Sequence, residues 1–212
     1  SGFIRASGLR GRSTILGMDW KAQPAQATLA NGVMAHAFEL DNVRQPGAGV
    51  HPGATGFLPA FSMAEEKRAD GKTLLTAFVG ACEVMSRIGV AAGNSLERRG
   101  FHAPGLTGTF GGAIAAGKLM KLNQAKMVNA LGIAASYSGG LIEFSRCQEG
   151  AMIKRLHLGK AAEGGVTAAL WRAKASPDRK ASSRENSAFA APIPIHPNST
   201  ISPIVWGANS KP

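Results

Sequence analysis

Apolar residues recur at helical spacing through most of the first 174 positions, and the breaks between them carry turn and cap signals. Residues 26–38 are Ala-rich and short of β-branched side chains, and with Gln23-Pro24 ahead of them they predict a first helix. A second covers 57–68 and stops at the turn pair Asp70-Gly71. Thr73 is placed to cap a long apolar helix reaching Val90, in which Glu83 and Arg87 stand four apart as a structural ion pair. Small residues crowd 108–119 so densely that neighbouring backbones must approach closely. Asn123 can cap a further helix over 125–135, and a last one runs from about 152 to 174. No convincing strand-like alternation precedes residue 190. The expected fold class is all-α, a close-packed bundle of small-residue helices.

Four islands of ionisable residues interrupt this pattern. They are NGVMAHAFELDN (31–42), HPGA (51–54), RRGFHAPG (98–105) and GAMIKRLHLGKAAEGG (150–165). Between them they supply the carboxylates Glu39 and Asp41, the imidazoles His51, His102 and His157, and the ammonium groups Lys154 and Lys160. Charged groups beside apolar helices are costly to desolvate, so their grouping calls for a chemical reason.

At 212 residues the chain makes one sizeable domain. Lys and Arg number 24 against 13 Asp and Glu, a net charge of +11. That surplus suits an enzyme collecting polyanionic substrates. Nucleic acid is not the expected partner, because the basic residues are scattered and only one Tyr and three Trp are available for stacking. Cys82 and Cys147 are too few for a disulfide framework and read as small core residues of a protein from a reducing compartment. The start of the chain has no signal-peptide pattern. The longest stretch without Asp, Glu, Lys or Arg in the helical part, 45–64, contains three Pro and His51, so no membrane span is expected. A soluble, cytoplasmic protein is the expectation.

The ionisable groups of the four islands are the parts needed to hold a polycarboxylic acid and move protons on it: groups that take and give protons, and cations that hold carboxylates. Histidine, with an ordinary pKa of about 6.5, can act as acid or base. Lys154 and His157 fall one helical turn apart on one face, and a lysine suits a substrate carboxylate. His51 precedes Pro52, which biases it away from helix and onto a loop. His102, followed by Ala103-Pro104, sits where a loop becomes a helix, and amide dipoles there favour an anion. His36 reads as a packed histidine on an Ala face and Lys160 as solvent-facing, while His157 reads equally as helix packing or as site. No His/Cys pair has zinc spacing, and His36 with Glu39 alone is a weak pair, so no metal is expected. GLTGTFGG (105–112) lacks both the Lys-Ser/Thr and the preceding strand of a phosphate loop, and reads as tight helix packing.

In order and wording the four islands resemble the MmgE/PrpD family over about residues 13–174. The resemblance implies a helical domain carrying these motifs, followed by a smaller α+β domain that contributes further catalytic groups. It implies a cofactor-free hydro-lyase acting on a small di- or tricarboxylic acid, 2-methylcitrate-like dehydration being the default, and a homodimer at full length. The family's acidic loop, His-Pro turn, His after Phe and Lys before Leu-His correspond here to Glu39 and Asp41, His51, His102 and Lys154. The roles implied are general acid/base for His102, second proton transfer or orientation for His51, and carboxylate anchoring for Lys154. Asp41 would orient an imidazole or accept a substrate hydroxyl, with Glu39 and His157 in substrate binding. The alternatives are an epimerase or decarboxylase of a related acid, or an inactive helical interaction remnant. Asn42, Val43 and Arg44 depart from the family's acidic, hydroxyl-bearing loop, which gives no ground for inferring decarboxylation.

From Ala175 the sequence turns rich in Ser, Pro and Asn and loses both helical periodicity and family resemblance. Displaced by one nucleotide after Lys174, suitable codons for this tail spell KGFTGPESVLEGKFGFCRTYS, a string that looks like the family's continuation. The expected organisation is a partial helical domain over 1–174 and a frame-shifted, irregular tail over 175–212.

Overall fold

A computed structural model describes residues 2–44, 49–147 and 151–174. Most of them lie in helices: α1 (Gly2–Ala6), α2 (Pro24–Ala35), α3 (Leu58–Lys67), α4 (Gly71–Ala92), α5 (Ser95–Arg98), α6 (Ala103–Leu119), α7 (Gln124–Tyr137) and α8 (Ala151–Lys174). A π-helical turn, Gly53–Phe57, leads into α3, and a 3-10 turn, Ile142–Arg146, precedes α8. The all-α expectation holds, with one small exception near the start.

That exception is a two-stranded antiparallel hairpin, β1 (Arg10–Thr14) with β2 (Lys21–Ala22), its register shifted between Arg10 and Ser13. No strand was expected there, because the segment alternates charge rather than hydrophobicity. Tertiary hydrogen bonds hold it instead. The Thr14 N–H and hydroxyl both donate to Glu65 of α3, each at 2.6 Å. Asn31 of α2 accepts the Leu16 N–H and donates to the Thr14 carbonyl, both at 2.9 Å. Ser13 donates to the Ser62 carbonyl at 2.7 Å, and Ile15 is fully buried between these anchors. Asn31, the first residue of the first polar island, is therefore spent on the fold.

Helix α6 is the axis of the core. Its sequence APGLTGTFGGAIAAGKL buries nearly every side chain against α4, α7 and α8. Contact with α8 is backbone to backbone: a Cβ on Gly165 would sit 2.3 Å from the Thr109 carbonyl oxygen. Helix α8 meets α2 in the same way, where a Cβ on Gly159 would fall 2.6 Å from the Leu29 carbonyl oxygen. The GLTGTFGG segment is thus a packing surface inside a helix, as its sequence suggested. Apolar side chains (Ala81, Met63, Ile114, Leu119, Val166) fill the space around these close approaches.

Helix boundaries follow identifiable signals. Arg68 ends α3 in the left-handed region at φ 51°. The cap of α4 is Asp70, not Thr73: its carboxylate accepts the Thr73 N–H at 2.7 Å, because a cap side chain reaches forward to the third helical residue. Asn123 caps α7 as expected, accepting the Lys126 N–H at 2.9 Å. Among the described residues α4 is also one helix long and apolar enough to cross a membrane by length and composition, although Lys72, Glu83 and Arg87 break it into short uncharged runs. It carries the exposed Glu83–Arg87 pair expected from their spacing, packs one face on α6, and leaves Leu75 and Val79 exposed. Residues 175–212 lie outside the described residues, and so does the expectation about the tail.

Candidate active site

Helix α2 ends at His36, and the chain then turns through residues 37–44, with Glu39 in the left-handed region at φ 55°. A bridge closes this loop, the Arg44 N–H donating to the Val50 carbonyl at 2.9 Å. The closure brings His51 back to Asp41, ten residues earlier. Asp41 places one oxygen 2.7 Å from His36 Nδ1 and the other 3.0 Å from His51 Nδ1. The two rings meet edge to face with centroids 4.8 Å apart. Asn42 accepts the Gly53 N–H at 2.9 Å and so ties the loop to the start of the π-helical turn. The turn is closed again by Thr55, whose N–H and hydroxyl both donate to the His51 carbonyl.

A second imidazole pair is built from α6 and α8. His102 precedes α6 in an extended conformation, its N–H donating to the Gly140 carbonyl at 2.9 Å beside the Phe101–Leu141 bridge. Its Nδ1 lies 3.2 Å from Nδ1 of His157, and Phe144 packs edge-on against both rings. Gly140 is required here twice over. Its φ is 127°, and a Cβ would fall 3.1 Å from the His157 ring. One turn before His157, Lys154 reaches across 115 residues of sequence to Glu39, with Nζ 2.5 Å from the carboxylate.

Burial and charge set the protonation of these groups. His102, only 7% exposed, is pushed down to about 3, first by desolvation and then by the positive potential of His157, Lys154, His36 and His51. Desolvation also lowers His157. For His51 the lowering by burial outweighs an opposing pull from the Asp41 charge, with His36 and Lys154 adding to the lowering. The Lys154 hydrogen bond holds Glu39 below the usual carboxylate range. Lys154 and His36 act on the charge of each of Glu39, His51 and His102. The open depressions beside α4, lined by Lys72, Thr76 and Val79 or by Lys118 and Met127, contain none of them.

The six residues expected at the site therefore fall into three contacts: Asp41 with His51, His102 with His157, and Glu39 with Lys154. His36 was expected to be packed core; it is buried, yet its Nδ1 contacts Asp41, so it belongs to the cluster. Nothing in linear spacing signals that contact, because the loop between them sets it. The donors of His36, Asp41 and His51 lie within 4.8 Å of one another and could hold a metal ion, a grouping that sequence spacing does not reveal. In the observed geometry both Nδ1 atoms are instead within hydrogen-bond distance of the carboxylate. Lys160 faces solvent beside Glu163, as expected. Cys82 is half-buried and its thiol is pushed up by desolvation, which suits packing rather than nucleophilic attack.

Comparison with known proteins corrects one expectation. The chain is similar to cis-aconitate decarboxylase of Homo sapiens, 34% identical over 165 residues, and of Aspergillus terreus, 36% identical over 168 residues. Those alignments cover 74% and 76% of this chain but 33% of each relative, so the chain spans about a third of the length of the curated relatives it matches. Cis-aconitate decarboxylase of Mus musculus is 32% identical, over 74% of this chain and 32% of the relative. These relatives are carboxy-lyases, which overturns the hydro-lyase expectation. The namesake reaction of a family was a poor guide because the elimination of water and the loss of CO2 call on the same residue types. The MmgE/PrpD N-terminal domain matches residues 1–176, and the chain belongs to the MmgE/PrpD family.

Proposed function

We propose that this chain is the helical part of a lyase that removes CO2 from a small unsaturated polycarboxylic acid of the cis-aconitate type, without a cofactor. The observation that carries the reading is the set of paired groups: the Lys154 ammonium on Glu39, the His51 imidazole on the Asp41 carboxylate, and the buried His102 imidazole on His157. The similarity to cis-aconitate decarboxylases supports the choice of reaction. Loss of CO2 breaks a C–C bond, and the electron pair moves through the adjacent double bond to a carbon that must then take a proton. The chain must therefore anchor carboxylates that stay, leave the departing one poorly solvated, and deliver one proton.

Lys154 is the anchor. Glu39 holds its ammonium in place in the free protein and gives way to a substrate carboxylate. For the proton, His51 is better equipped than His102. Asp41 stabilises a His51 imidazolium, whereas His157, Lys154, His36 and His51 all oppose protonation of His102. The roles expected from the family are thus exchanged: His51 carries the proton, and His102 hydrogen-bonds to substrate as a neutral imidazole. A bound polyanion raises both imidazoles, so substrate itself charges His51.

The test is release of labelled CO2 from cis-aconitate by the longer protein containing this domain. Turnover that His51→Gln lowers by at least about a hundredfold supports the reading. No CO2 release from a folded, longer protein, or full turnover in His51→Gln, ends it.

A further inference from the structure

We propose that His36 is a positioning residue, which from the buried end of α2 locks the Asp41 carboxylate in the orientation that serves His51. The inference rests on the reading of His51 as the proton carrier, but its geometry is independent of it. His36 is 1% exposed, with Nδ1 2.7 Å from one Asp41 oxygen, while His51 Nδ1 is 3.0 Å from the other. Each carboxylate oxygen thus has its own imidazole. Asp41 stands on a loop, where its carboxylate could turn about its last bond, and a donor at only one oxygen would leave it free to do so.

The proton positions follow from the partners. A carboxylate only accepts, so the proton of His36 lies on Nδ1. Its Nε2 is buried with no hydrogen-bond partner. A proton there would be a donor with nothing to accept it, whereas a bare lone pair in an apolar setting costs less. His36 is thereby held as the Nδ1–H tautomer. The same reasoning puts the His51 proton on Nδ1 toward Asp41 and leaves Nε2 of His51 as the atom that exchanges a proton with substrate. This is a carboxylate gripped from both sides, one imidazole fixing it and the other working on it. A metal ion at the same place would need both Nδ1 protons removed.

The experiment is tautomer assignment by long-range ¹H–¹⁵N correlation on the ¹⁵N-histidine-labelled chain, with resonances assigned by single histidine replacements. In the unaltered chain His36 and His51 are both expected as Nδ1–H. In His36→Leu the His51 signal should move to a mixture of tautomers while the signals of His102 and His157 stay in place. His36→Asn, whose amide can donate from near the Nδ1 position, should restore the single His51 tautomer. In the longer enzyme His36→Leu should lower kcat by about tenfold or more, with KM within about twofold. An unaltered His36 carrying its proton on Nε2, or a His51 tautomer indifferent to His36→Leu, overturns the proposal. Should His36→Leu fail to fold, the unaltered chain and His36→Asn decide alone. Failure of CO2 release with the tautomers as expected would refute the reaction and leave His36 in its role.

Discussion

At the scale of single residues the two imidazole pairs differ in what stands behind them. His51 has a carboxylate, and His102 has another histidine. A histidine whose folded pKa lies below its unfolded value binds fewer protons in the native state. Its contribution to stability is therefore unimpaired above about 6.5 and declines as the pH falls toward the folded value. For His102 that window runs from about 6.5 down to about 3. Each unit of depression corresponds to about 1.4 kcal/mol. Thermal unfolding between pH 7 and pH 4 should show a falling midpoint, and His102→Asn should flatten the slope; an unchanged slope would mean that His102 is solvated. Lys154→Met tests the anchor. Glu39 is half exposed, so the pair contributes no more than about 1 kcal/mol to stability. Substrate KM in the longer enzyme should nonetheless rise about tenfold or more, since a charged hydrogen bond is worth about 1.5–3 kcal/mol. A loss of stability with KM unchanged would make Lys154 a structural residue.

At the scale of elements, the positions of α2, α6 and α8 relative to one another decide whether the site exists. His36 ends α2, His102 starts α6, and Lys154 and His157 lie on α8. Both α8 interfaces depend on glycine backbones in contact. Gly165→Ala should force α6 and α8 apart and cost about 1–3 kcal/mol, the usual penalty of overpacking. Chemical denaturation measures it, and a neutral result would show that the helices sit farther apart. The hairpin gives an independent prediction. Burial raises Glu65, but the Thr14 donors and Lys21 outweigh that and hold its carboxyl below the usual range. Its stabilisation is present above the unfolded pKa and disappears as the pH falls through the lower folded value. Glu65→Gln should cost about 1–3 kcal/mol at neutral pH and much less in acid. A pH-independent cost would show that packing, not charge, docks the hairpin.

At the scale of the whole molecule, the chain represents about a third of its relatives' length. We read residues 175–212 as a frame-shifted continuation of the family sequence. Independent sequencing of the DNA around the Lys174 codon tests this, and an intact frame with no family-like alternative rejects it. The tail carries six Pro and seven Ser and few large apolar residues before Ile201. Truncation after Lys174 should leave helix content and thermal midpoint nearly unchanged; a marked loss of stability would show that the tail packs natively.

Local patterns sufficed for the helices and for the identity of the reactive groups. Three-and-four spacing, the Asn123 cap and the Asp70-Gly71 turn located the main helices to within a few residues, because these signals act over one or two turns. The density of small residues in α6 foretold backbone contact, since nothing else fills a helix face without side chains. Polar residues among apolar ones marked Asp41, His51, His102 and Lys154, since such groups are seldom placed there without partners. Pairing lay beyond the reach of sequence. Glu39 meets Lys154 across 115 residues, His102 meets His157 across 55, and Thr14 meets Glu65 across 51. The hairpin exists only through such distant partners, so its own residues carry no strand signal. His36 shows the division most clearly: composition could say that it is buried, but only the loop closure between Arg44 and Val50 decides that Asp41 and His51 are waiting beside it.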